Sequence, residues 1–317
     1  MKVSLPSRKL QFPVEIVLVI SVCLFGISCS DSSNSPGDSA SETNGKPIVY
    51  ASNYPLTYFA ERIAGDAVEV RFPASEEGDP AFWKPTDEVL QSMQNADLIL
   101  LNGATYEKWL GQVSLPDKTK IDTSSAFKGE FLSSGEMVTH SHGNDDEHSH
   151  GGTAFTTWMD FQQAIWQAEE VCNGLVLLVP DRESEFRAAF ETLADDIDAL
   201  HQSFKQVGKK IEGVPLMASH PVYQYFARRY GLDIESVLWE PETVPDDKAI
   251  NQLKEKLKEH PAKWMIWEGE PAQESVELLS GMGIKSVVVA PCGNRPEEGD
   301  WLSTMQDNIQ NLSGITP

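Results

Sequence analysis

Residues 47–72 read PIVYASNYPLTYFAERIAGDAVEVRF. Ile48 to Ala51 form a short apolar, β-rich run, and Leu56, Phe59, Ala60 and Ile63 then recur at helical spacing. Gly65-Asp66 turns the chain, and residues 67–72 alternate apolar with charged side chains as a strand does. Further along, residues 86–95 read as a helix before the wholly apolar Leu98-Ile99-Leu100-Leu101. Such alternation predicts a mainly parallel sheet covered by helices.

Residues 161–210 carry a strong helical pattern, interrupted around Gly174 and at Pro180-Asp181. The second segment, 181–210, would extend about 45 Å. Its apolar positions do not sustain heptads, so it reads as a helix joining two lobes rather than a coiled-coil arm. A second α/β region follows: strands at 214–219, 264–267 and 286–290, and helices at 222–230, 250–259, 272–281 and 301–312. No tandem repeat is evident, although both halves share a βα grammar. The expected fold is α/β with two lobes, each a mainly parallel sheet flanked by helices, joined by one long rigid helix, with a ligand cleft between the lobes near strand C-termini. The segments are a leader at 1–29, a tether at 30–46, an N-terminal lobe at 47–160, connecting helices at 161–212 and a C-terminal lobe at 213–317.

The leader places Lys2, Arg8 and Lys9 before an apolar run at 14–27, a signal-peptide shape. The run of about 14 residues is shorter than the ~20 needed to span hydrocarbon. Ser28-Cys29 at its end resembles a bacterial lipobox, with Gly26 where that motif usually has Leu. Cys29 would then carry acyl chains, each buried methylene adding about 0.8 kcal/mol of membrane affinity. The Ser-, Asp- and Asn-rich stretch after it reads as a flexible leash. With Cys23 in the leader, Cys172 and Cys292 remain, and whether they pair is open.

In the 317-residue chain, 48 Asp and Glu against 25 Lys and Arg give a net charge of -23. That excludes a phosphate-backbone binder and fits either a solvated acidic surface or attraction of cations. No Gly-x-Ser-x-Gly elbow, Walker A loop, dinucleotide fingerprint or His-Glu-x-x-His helix occurs, so no enzyme is expected.

Several segments together resemble the zinc/manganese solute-binding proteins that feed ABC importers, the ZnuA-like receptors. They are Ala51-Ser52-Asn53-Tyr54-Pro55-Leu56, Asp79-Pro80-x-x-Trp83-x-Pro85-Thr86, residues 96–103, Trp158-Met159-Asp160, Glu240-Pro241-Glu242, Glu268-x-Glu270-Pro271, and above all Ser219-His220-Pro221-x-x-x-Tyr225-Phe226-Ala227-x-x-Tyr230-Gly231-Leu232. The resemblance implies a monomeric, exported, periplasmic lipoprotein that captures zinc, with manganese or another divalent ion open, and hands it to an ABC permease in the inner membrane. Whether the anchor sits in the inner or outer membrane stays open. It also implies a ligand set of which little is present, since Ala81, Thr156 and Ala290 stand where donors are expected and His220 alone is in place.

One imidazole cannot hold zinc tightly, because the ion takes about four N, O or S ligands. Asp79, Glu77, Glu242 and Glu268 are the carboxylates near enough in sequence to assist. His220, before Pro at a strand end, is either a ligand or a cap for backbone groups. Separately, His140, His142, His148 and His150, with Asp145, Asp146 and Glu147 between them, form a loop at 139–152 suited to loose metal capture. Trp83, Trp158, Trp239 and Trp267 either fill the core or line a pocket for an organic ligand. The competing reading is a degenerate receptor whose cleft holds no metal and serves another solute, protein interaction or adhesion. A cleft with His220 beside convergent carboxylates favours metal, and one packed with Trp favours the competitor.

Overall fold

The computed structural model describes residues 45–74, 78–134, 139–140, 148–149 and 152–316. The leader with Cys29, nearly all of the tether, Glu77, and most of the His-rich stretch with His142 and His150 lie outside them. From Gly45 onward the chain is one compact unit.

β1 (Ile48–Ala51) leads into α1 (Tyr54–Ala64), whose start is fixed by Asn53 accepting the Leu56 amide at 3.0 Å and by Pro55 in the first turn. β2 (Glu69–Arg71), α2 (Asp87–Gln94), β3 (Leu98–Leu101) and β4 (Lys120–Asp122) follow. The four strands are parallel, in the order β2-β1-β3-β4. β3 is buried throughout and β1 almost so, as central parallel strands must be, while the edges β2 and β4 carry charge. β5 (Thr139–His140) and β6 (His148–Ser149) pair antiparallel, with His140 opposite His148.

α3 (Phe161–Leu178) runs unbroken through Gly174, where the sequence predicted an interruption. A Cβ there would lie 2.6 Å from Ile121 Cδ1 and 3.3 Å from Leu98 Cδ2. Gly174 therefore marks a close approach of helix to sheet. The break at Pro180 is present as a short turn before α4 (Glu183–Lys210).

The second half contains β7 (Pro215–Ala218), α5 (Gln224–Tyr230), β8 (Asp233–Ser236), α6 (Asp247–Glu259), β9 (Trp264–Trp267), α7 (Gln273–Gly281), β10 (Lys285–Val288) and α8 (Trp301–Ser313). Its sheet is again parallel, ordered β8-β7-β9-β10. Numbered within each half, both sheets read 2-1-3-4, one topology used twice without a visible sequence repeat.

The 28 residues of α4 span about 42 Å and connect the halves. Phe186, Leu193, Ile197, Leu200, Phe204 and Val207 form its buried stripe, packed against α1, α3 and α8. Each such burial contributes about 2 kcal/mol. Phe161 stacks on Phe204 with ring centroids 5.0 Å apart, which ties the start of α3 to the end of α4.

The sequence pattern does not show β4 and β8, because KID and DIES are charged edge strands with no apolar run, and the short β5–β6 pair falls in the stretch read as a loop. α5 starts at Gln224 rather than 222, since Pro221 bends the chain and the Val222 amide bonds back to the His220 carbonyl. Trp158, Trp239 and Trp267 are core residues, and Trp83 packs edge-on against buried Trp109. Cys172 and Cys292 are separate buried thiols. Among the described residues, no helix is long and apolar enough to cross a membrane.

Candidate metal centre

β7, β8 and β9 end side by side, and their hydrogen bonding continues past the strand ends. The Ser219 amide bonds the Ile266 carbonyl at 2.8 Å, and the Trp239 amide bonds the Ser219 carbonyl at 2.8 Å. His220 and Glu240 are the next residues out, and Glu268 follows Trp267 at the end of β9. Three donors thus emerge together at the C-terminal edge of one sheet, where open α/β sheets form their crevices.

His220 Nδ1 stands 3.0 Å from Glu268 Oε1 and 3.6 Å from Glu240 Oε1. The imidazole is 4% exposed, and the two carboxylates 26% and 23%, so the glutamates face the opening and the histidine lies beneath them. One donor atom from each of the three residues falls within 4.8 Å of the others. Donors tetrahedrally bound at zinc's usual distance stand about 3.4 Å apart. The glutamates, about a quarter exposed, would need to move by roughly an ångström to reach that spacing.

The electrostatics favour positive charge. Burial opposes protonation of His220, but the Glu268 hydrogen bond and the charges of Glu268, Glu240 and Asp79 outweigh it and raise its pKa above 6.5. A proton on His220 and a cation in the cluster are therefore competing ways to neutralise the same carboxylates. Asp79, from the first lobe, is held by accepting the Ala81 amide at 2.8 Å.

A sequence profile for the family described as "Zinc-uptake complex component A periplasmic" matches residues 49–314. The chain belongs to this family. High-affinity zinc uptake system protein ZnuA of Bacillus subtilis is 24% identical, over 93% of this chain and 95% of that protein. Zinc-binding lipoprotein AdcA of Streptococcus pneumoniae is 23% identical over 95% of this chain, which spans 60% of the length of AdcA. Among solved structures, the metal-dependent lipoprotein YcdH of Bacillus subtilis superposes with a TM-score of 0.72 at 19% identity, covering 84% of this chain and 98% of YcdH. The Zn(II)-bound ZnuA-like domain of Streptococcus pneumoniae AdcA gives 0.70 at 20% identity, covering 85% and 98%. These likenesses establish the two-lobed fold.

The three positions where the resemblance implied donors, Ala81, Thr156 and Ala290, lie outside the His220, Glu240 and Glu268 cluster. Ala81 is fully buried in the core. Thr156 Oγ1 donates to the Val222 carbonyl at 2.5 Å. Ala290 has its backbone N–H and C=O both bonded by the Asn308 side chain, at 2.8 Å each. Of the carboxylates singled out in sequence, Glu268 reaches His220, Glu242 is exposed outside the cluster, and Asp79 acts through its charge. Glu240 was missed. Its signal was positional: an acidic residue directly after a buried Trp at a strand exit, the relation that Glu268 has to Trp267. Of the loop histidines, His140 and His148 are backbone partners in the β5–β6 ribbon.

Proposed function

We propose that this protein is the extracytoplasmic receptor of an ABC-type metal importer, capturing a divalent transition metal, zinc first, at His220, Glu240 and Glu268 and delivering it to a permease. The observation that carries this reading is the convergence of one buried imidazole and two glutamates within 4.8 Å at the crevice edge of β7, β8 and β9. One nitrogen and two carboxylate oxygens are ligands zinc accepts, and three protein donors leave a position for water or for Asp79. The names of the relatives AdcA and ZnuA point to the same ion. The role is binding and transfer rather than catalysis.

The same proposal makes the protein an exported monomer tethered to the membrane through acylated Cys29, with the loop of His140, His142, His148 and His150 as a second, looser collector of metal. Calorimetric titration of zinc into the full chain separates the two. A one-to-one, sub-micromolar site should survive replacement of the four loop histidines by Asn and disappear in His220→Ala. Loss of all binding with the loop histidines would leave the cleft without a role in capture. For the anchor, Cys29→Ser should move the protein from the membrane to the soluble fraction, and unchanged membrane association would overturn that part.

A further inference from the structure

We infer that Thr156 is a positioning residue for the metal site, setting His220 from the opposite lobe while giving no donor to the ion. The inference rests on the proposed capture of metal by His220, Glu240 and Glu268.

Thr156 is 4% exposed, and its hydroxyl donates to the carbonyl of Val222, 66 residues away, at 2.5 Å. That carbonyl closes the turn that begins at His220: the Val222 amide bonds the His220 carbonyl at 3.0 Å, around Pro221. On its other side His220 follows Ser219, whose amide is fixed to β9. The backbone carrying the imidazole is thus pinned at both ends, once by its own sheet and once by Thr156. Threonine suits the task, because its branched Cβ restricts χ1 and aims the hydroxyl with little entropy left to lose.

The bond belongs to a longer seam between residues 154–160 and 222–229. Tyr225 Oη donates to the Ala154 carbonyl at 2.9 Å and accepts the Leu132 amide at 3.2 Å. Buried Asp160 accepts Arg228 Nη2 at 3.1 Å and Arg229 Nε at 2.6 Å while capping α3. Those contacts span the lobes without Thr156, so removing its hydroxyl loosens the His220 turn, where Gln224 Nε2 still donates to the Pro221 carbonyl at 2.8 Å, and leaves the seam standing. As a neutral hydroxyl, Thr156 is a poor zinc ligand beside imidazole and carboxylate donors. Its contribution is preorganisation: the imidazole is set before the ion arrives, and less ordering remains for binding to do.

The test uses the full chain with its four loop histidines replaced by Asn, so that zinc reports on the cleft. Thr156→Val keeps the shape and loses the donor, and Thr156→Ser keeps the donor. The Val variant should bind zinc about tenfold more weakly, the scale of one neutral hydrogen bond, and the Ser variant should stay within about threefold of the parent. Equal affinity in Val and parent, or equal loss in Ser and Val, overturns the inference. Parent protein that binds no zinc overturns the proposed function and the inference with it. In the unsubstituted chain the Val222 carbonyl carbon resonance should be the same with and without zinc. A shift that reports release of the hydroxyl on binding overturns the inference, even if the Val variant does not fold.

Discussion

Replacing Glu268 by Gln preserves the side chain's shape and removes the charge 3.0 Å from His220 Nδ1. Structural zinc sites bind with an apparent free energy of about 10–16 kcal/mol over four ligands, or about 3 kcal/mol per ligand. The amide oxygen remains a weak donor, so the expected loss is about 2.8 kcal/mol, a hundredfold in Kd. A smaller effect runs the other way. The Glu268 hydrogen bond and charge help to hold the His220 pKa above 6.5 against burial, and a proton there competes with zinc. Without them the pKa falls, and the zinc-binding form persists to lower pH. At pH 8 that relief is small and the lost ligand dominates. Competition with a chromophoric chelator at pH 8, in the chain lacking the loop histidines, measures the difference. A Kd within threefold of the parent would exclude Glu268 as a ligand. In the metal-free chains, the His220 imidazole should titrate by NMR at lower pH in Glu268→Gln than in the parent, and an unchanged or higher midpoint would refute the electrostatic coupling.

Two further predictions concern the scaffold. Burial raises the Glu107 pKa from 4.5 to about 7, although hydrogen bonds from Ser52 and the Asn102 and Gly103 amides pull it down. The folded chain therefore holds a proton that the unfolded chain releases between those values. This stability is complete below about pH 4.5 and lost as pH rises through about 7, a change of up to roughly 3 kcal/mol. Urea unfolding across this range should show a flatter pH dependence in Glu107→Gln, and an undiminished slope contradicts the assignment. In Gly208→Ala, the new Cβ would stand 2.6 Å from the Tyr230 backbone carbonyl, where α4 meets α5. Overpacking should cost about 1–3 kcal/mol, more than the ~1 kcal/mol of helix propensity gained, and an equal or higher melting temperature would show that the contact yields.

The regular core of the fold was legible because its signals are local. β1 and β3 are short apolar runs, α1 places Leu56, Phe59, Ala60 and Ile63 on one buried face, and Pro180 ends α3. What stayed hidden depends on neighbours. β4 and β8 are strands because adjacent strands supply hydrogen bonds, and their own residues are those of solvent-facing edges. Gly174 was read as a helix breaker from intrinsic propensity, but packing against Ile121 and Leu98 decides its role. At the site, His220 stood out by its place in a motif, whereas Glu240 is 20 positions later, brought beside it only by the pairing of β7 with β8. The role of Thr156 depends on a carbonyl 66 residues away, a relation carried by tertiary structure and by no pattern in the chain.

His220, Glu240 and Glu268 are proposed to hold the ion. The direct test is a crystal of the zinc-loaded protein with anomalous data collected on both sides of the zinc edge. One strong peak is expected about 2.0–2.2 Å from a His220 nitrogen and from a carboxylate oxygen of each glutamate. A cleft without a peak, or zinc bound away from these three side chains, would contradict that assignment.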